Sequence, residues 1–231
     1  MLFAGLLLAG AALEAAPAQA NDADRYRVIE GTASPDGRYA IALGLDAPKV
    51  DWKAFYDAES GAYLLDSSLP ESEIRNYLVE VGTRRILAAT GGHYIYSKPR
   101  ITHLACGVQW SPDSQVFVQA VQRGWIGFCL AGRVQNGRLK TGPLDIGSKA
   151  AGFAWTFLAQ RKNAAFLKHG HDLAILFSLA SVRNDGVMVL QLDGAVPHLG
   201  EDDSNFEITE TLQLGKDGAV KLLKVAYHKD D

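Results

Sequence analysis

Trp110-Ser111-Pro112-Asp113-Ser114, running into Gln115-Val116-Phe117-Val118-Gln119-Ala120-Val121, is the stretch that decides the fold. Ser caps the turn at its first position, Pro presets φ at the second, and Asp tolerates the third. The apolar run that follows reads as a strand leaving that turn. An earlier copy stands at Ser34-Pro35-Asp36-Gly37, where Gly accepts the positive φ that returns the chain to a ladder. It feeds Arg38-Tyr39-Ala40-Ile41-Ala42-Leu43, bulky on one face and Ala on the other, which suits a sheet packed on both faces.

Working outward, short β-like runs alternate with turn residues, the pattern of an all-β chain. Tyr26–Ile29 precedes the first turn. Lys53–Asp57 and Ala62–Asp66 flank Ala58-Glu59-Ser60-Gly61 as a hairpin, and Tyr77–Val81 and Arg85–Thr90 flank Gly82-Thr83 as another. Ile101–Val108 enters the central turn, and Trp125–Ala131 follows the strand after it. Asn136-Gly137 is a strong two-residue hairpin signal. Phe153–Leu158 and Ala164–Leu167 read as strands about Gln160–Asn163, and Phe206–Leu214 and Val220–Tyr227 as strands about Gly215–Gly218.

The copies register. Ser34 lies 27 residues before Gly61, and Ser111 lies 26 before Gly137. The same spacing taken back from Asp193-Gly194 lands on Lys168-His169-Gly170-His171-Asp172, followed by the apolar strand Leu173–Phe177. Turn, strand, loop, strand and glycine turn therefore recur three times, the third copy without Ser-Pro. Ser34–Ala40 and Trp110–Ser114 resemble the blade motif of TolB-type, WD40-like β-propellers, with Asp57–Ala62 and Arg133–Arg138 in the place of the second blade hairpin. The resemblance implies β-meander blades of a small or incomplete β-propeller. It also implies a scaffold or interaction module that engages a protein or peptide through its turns or rim, with self-association as a way to complete the array.

The N-terminus carries a separate message. Leu2–Leu13 is apolar, Pro17 breaks the run, and Ala18-Gln19-Ala20 has the small-x-small form of a signal-peptidase site, although no Lys or Arg precedes it. About a dozen apolar residues fall short of the roughly 20 that span a bilayer. Residues 1–20 are expected to be a signal peptide and 21–231 a single β-repeat domain, exported to the periplasm or secreted. The formal charge of −3 offers no electrostatic footprint for nucleic acid or an anionic membrane, and no second apolar segment suggests a span.

Four constellations could carry chemistry. Gly127-Phe128-Cys129-Leu130-Ala131-Gly132 resembles the nucleophile elbow of dienelactone-hydrolase-like α/β-hydrolases, which implies Cys129 as a nucleophile. The residues after it turn back into a strand instead of a helix, so a buried strand cysteine is the stronger reading. His169-Gly170-His171-Asp172 places two imidazoles at i and i+2, but a zinc site needs more ligands, and the repeat register explains the run as a blade turn. Glu201-Asp202-Asp203-Ser204-Asn205 lacks the ligand order of a calcium loop and reads as a solvated acidic turn. Trp110, Trp125, Trp155, Tyr94 and Tyr96 could form an aromatic surface, yet aromatics in strands are more often core. Meander pairing puts Cys106 opposite Gln119 and Cys129 opposite Val118, on opposite faces and two strands apart, so both are expected to be free, buried thiols. The sequence thus assigns no catalytic, cofactor-binding or metal-ligating residue.

Overall fold

The computed structural model describes residues 22–47, 49–57, 62–63, 73–91, 104–123, 126–160, 174–195 and 205–228. The signal-like segment 1–20 lies outside them, as do the His169-x-His171 run, Glu201–Ser204, Trp125, Tyr94 and Tyr96.

The fold is all-β. Strands β1 (Tyr26–Val28), β2 (Tyr39–Leu45), β5 (Ile74–Glu80) and β6 (Arg85–Thr90) form the first four-stranded antiparallel sheet, and a two-stranded hairpin of β3 (Tyr56–Asp57) and β4 (Ala62–Tyr63) is inserted between β2 and β5. The second sheet is a strict meander of β7 (Leu104–Trp110), β8 (Val116–Arg123), β9 (Ile126–Gln135) and β10 (Arg138–Asp145). Helix α1 (Gly147–Ala159) follows. The third sheet is another meander, of β11 (Ala174–Val182), β12 (Val187–Ala195), β13 (Asn205–Leu214) and β14 (Val220–His228).

The sheets are layered because period-two alternation gives the middle one two apolar faces. Along β8, Phe117 points to one side, where it joins Trp110 and Val134 against Tyr39, Ile41 and Leu78 of the first sheet. Val116, Val118 and Ala120 point to the other side, into a larger cluster shared with α1 and the third sheet. The third sheet ends the stack. Its inner face carries Leu190, Leu192, Ile208 and Leu212, whereas Glu207, Thr209, Thr211 and Gln213 of β13 point the other way. On that outer face Gln191 Nε2 donates to Glu207 Oε1 at 2.9 Å. A polar outer face is what a terminal repeat requires in water.

Three expectations on element placement are corrected. Phe153–Leu158 is not a strand but the last half of α1. Ala150, Ala154 and Leu158, spaced by four, make its buried stripe, and Asp145 just ahead of it accepts from the Ser148 backbone N–H at 2.9 Å. The last two strands of the first repeat are β5 and β6 around residues 81–84, and the pair flanking 58–61 stands apart as its own small hairpin. The third repeat turns at Arg183-Asn184-Asp185-Gly186, between β11 and β12. The earlier candidate at 168–172 lies outside the described residues.

Candidate functional site

Antiparallel order returns alternate connections to one end of each sheet. The turns at 34–37, 81–84, 111–114, 136–137, 183–186 and 215–218 lie at that end, where Tyr39 meets Glu80, Val116 meets Arg133 and Val187 meets Gln213. Four of them share one construction. The N–H of the fourth residue donates to the carbonyl of the first in each: Gly37 to Ser34, Ser114 to Ser111, Gly186 to Arg183 and Gly218 to Gly215. An Asp stands third and accepts the N–H two residues on, Asp36 from Arg38 (3.0 Å), Asp113 from Gln115 (3.1 Å), Asp185 from Val187 (3.1 Å) and Asp217 from Ala219 (3.0 Å). The fourth residue has φ of +69°, +59°, +88° and +85° in turn. The working signature is therefore Asp third and a residue of positive φ fourth, Gly in three turns and Ser114 in the other, and Asn184-Asp185-Gly186 fits it without Ser-Pro.

Where Ser leads the turn, it adds a second tie. Ser34 Oγ donates to Asp36 Oδ1 at 2.7 Å and accepts from Tyr39 N, and Ser111 Oγ repeats both bonds with Asp113 and Val116 N. The expected capping role of Ser holds, and Asp, expected only to tolerate its position, also accepts a backbone N–H.

The turns are also bonded to one another. Asp36 N–H donates to Ser114 Oγ at 3.2 Å, and Asp113 N–H donates to Asn184 Oδ1 at 3.0 Å, so the third residue of each turn reaches the next turn. Ser114 holds a left-handed φ that Gly would adopt at less cost, and its hydroxyl is the group that receives Asp36. Arg85 Nη2 bridges Glu80 Oε2 (3.1 Å) and the Gly137 carbonyl (2.5 Å), while Gly137 N–H donates to Tyr39 Oη. Arg133 Nη2 ties the second sheet to the third by donating to the carbonyls of Asp185 (3.0 Å) and Leu214 (2.9 Å). Together these bonds fasten three sheets into one turn face. Pro35, Asp36, Pro112, Asp113, Asn184 and Asp185 are exposed on it. A shallow depression of about 350 Å³ lies between Pro112 and Arg183-Asn184-Asp185.

Cys129 does not form an elbow. It lies within β9, opposite Ala120 of β8, with no exposed surface. The start of α1 covers it: Ile146 N–H donates to the Cys129 carbonyl at 3.0 Å, and a Cβ on Gly147 would stand 2.9 Å from Cys129 N. Burial, with the Asp145 charge second, pushes its thiol far above the ordinary range, opposite to what a nucleophile needs. Cys106 sits opposite Val121, half-buried on the other face; burial pushes its thiol up to about 11, the nearby Gln119 amide opposing. The register lies two residues from the expected one for each cysteine, and both thiols are free on opposite faces. A thiol-specific reagent at neutral pH should leave native protein unlabelled and label two thiols after denaturation without reductant. Labelling of native Cys129, or fewer than two thiols on denaturation, would contradict this arrangement.

Trp110 is core and Trp155 is half-buried in α1. Among the described residues no three His, Cys, Asp or Glu side chains are grouped to hold a metal, and no helix is long and apolar enough to cross a membrane. Comparison of the chain with protein-family models, curated proteins and solved structures finds no match.

Proposed function

We propose that the chain is an exported, non-enzymatic β-repeat domain that binds a protein or peptide on its turn face. The observation that carries this reading is the row of turn-to-turn bonds from Asp36 to Ser114 and from Asp113 to Asn184. A surface already fixed by hydrogen bonds loses little conformational freedom when a partner docks, so its contacts convert to affinity with less entropic cost. Export rests on Leu2–Leu13 and the Ala18-Gln19-Ala20 site, and the scaffold reading on the likeness of the Ser-Pro-Asp turns to TolB-type blades. The competing reading, a hydrolase built on Cys129, loses support from a thiol sealed under the start of a helix.

Selection of a displayed peptide library against the protein tests the proposal. Binders are expected whose affinity falls at least about tenfold with Pro112→Glu combined with Asn184→Arg, a typical loss at an interface centre. The same binders should tolerate Thr211→Glu on the outer face of the third sheet. Binders indifferent to the turn-face pair would sink the proposal, as would an esterase activity that disappears in Cys129→Ala.

A further inference from the structure

The turn face carries a strongly charged recess. A cleft of about 420 Å³ opens between the second and third sheets, and Arg133, Lys140, Lys216, Gln115, Gln135 and Thr141 contribute its polar lining. It holds three cations and no carboxylate, on a chain whose formal net charge is −3. Local sign therefore runs against the molecule as a whole.

Each cation is placed by the fold. Arg133 lies in β9 opposite Val116, where its Nη2 is held by the carbonyls of Asp185 and Leu214. Its Nε is buried and has no hydrogen-bond partner among the described residues. Lys140 falls at the register shift between Leu139 and Thr141 of β10, and an extra residue of this kind commonly redirects a side chain at a sheet rim. Lys216 belongs to the 215–218 turn, which Thr141 Oγ1 secures by donating to the Lys216 carbonyl at 3.2 Å. Neither lysine has an ion-pair partner among the described residues. The turn aspartates nearby are engaged within their own turns, Asp113 with Ser111 and Gln115, and Asp217 with Ala219. Three cations that line one cleft, the lysines without an ion pair, favour an anion seated among them.

We propose that this cleft receives the carboxylates of an acidic peptide segment, Glu or Asp side chains presented by a partner at the turn face. The inference rests on the peptide-binding reading above and names the chemistry of its ligand. Two primary amides, Gln115 and Gln135, beside the cations supply donors that suit carboxylate oxygens. The charges steer an acidic segment toward the face, and the rigid turns on either side give it a fixed register.

The test uses the full chain and a labelled, end-capped hexaglutamate peptide, followed by fluorescence anisotropy at low and at physiological salt. Binding is expected for hexaglutamate and not for hexaglutamine, and it should weaken as salt rises. Lys140→Gln with Lys216→Gln should weaken hexaglutamate binding at least tenfold, with the unfolding midpoint unchanged because both side chains are exposed. Lys221→Gln with Lys224→Gln, two exposed lysines of β14, should leave it unchanged. Equal binding of hexaglutamine, or an equal loss in the β14 pair, would overturn the cleft. Library binders that respond to Pro112→Glu with Asn184→Arg but ignore Lys140 and Lys216 would reject the cleft while leaving the turn face standing.

Discussion

Replacing Glu210 with Leu is expected to stabilise the protein, and the gain should grow with pH. Glu210 lies on β13 with no exposed surface, on the face that carries Phe206, Ile208, Leu212 and Leu214. Its cross-strand neighbours are Leu190 of β12 and Val225 of β14, and neither carboxyl oxygen has a hydrogen-bond partner among the described residues. Among the described residues, the one titratable side chain beside it on that sheet face is Tyr227, opposite Ile208, an uncharged phenol at neutral pH. Burial pushes the Glu210 carboxyl up to about 8 from the ordinary 4.5. The folded state therefore keeps a proton that the unfolded chain gives up. Stability from this group is fully present below pH 4.5, declines as pH rises between 4.5 and 8, and stays low above. At roughly 1.4 kcal/mol per unit the decline approaches about 4–5 kcal/mol.

Glu210→Leu should remove that decline and the unmet polar burial together, raising the unfolding midpoint at pH 8 by roughly 8–15 °C for a domain of this size. Glu210→Gln should flatten the pH profile with a smaller gain, because an amide stays polar in an apolar site. Thermal unfolding from pH 5 to 9 decides it. Superimposable profiles for wild type and Glu210→Gln would show that the carboxyl does not titrate in this window.

The sequence contained this group in plain sight. Phe206-Glu207-Ile208-Thr209-Glu210-Thr211-Leu212 alternates, and its period of two already assigns Glu210 to the inner face with Phe206, Ile208 and Leu212. The Ser-Pro-Asp turns were equally legible, since their bonds close over two to five residues and depend on side chains quoted in one short stretch. The helix was not. Phe153-Ala154-Trp155-Thr156-Phe157-Leu158 alternates aromatics with small residues as strands do, and the stripe that decides for a helix spans Ala150, Ala154 and Leu158 at a longer period. The turn row and the cationic cleft were beyond local reading for a simpler reason. Asp36 and Ser114 are 78 residues apart, and Arg133 meets the Leu214 carbonyl across 81. Bonds at such distances are set by how sheets stack, which no short window of sequence records.

Trp110→Ala should cause the largest loss of stability of any single change on the turn side. The indole lies between two rings, Tyr39 at 6.0 Å and nearly parallel, and Phe117 at 5.4 Å. It is 8 % exposed, and its Nε1–H donates to the Thr32 carbonyl at 3.0 Å, joining the second sheet to the segment that leads into the first turn. Thr32 in turn holds that segment: its Oγ1 accepts from Ile41 N, and its one hydroxyl proton has the Ile29 and Ile41 carbonyls in reach, at 2.6 and 2.9 Å. Truncation removes a large buried ring, which costs about 3–5 kcal/mol in a well-packed core. The lost hydrogen bond adds about 1 kcal/mol. Against a total of about 5–15 kcal/mol, that leaves the protein marginal. Trp110→Phe keeps the ring stack and loses the N–H, so it should cost about 1–2 kcal/mol. The damage should also be directional. Amide exchange is expected to quicken first in β2, β5 and β6, which share the small cluster around Trp110, while β12 and β13 stay protected by the larger cluster under α1. A loss below 1 kcal/mol, or exchange that quickens first in the third sheet, would mean that Trp110 is not what holds the first sheet to the second.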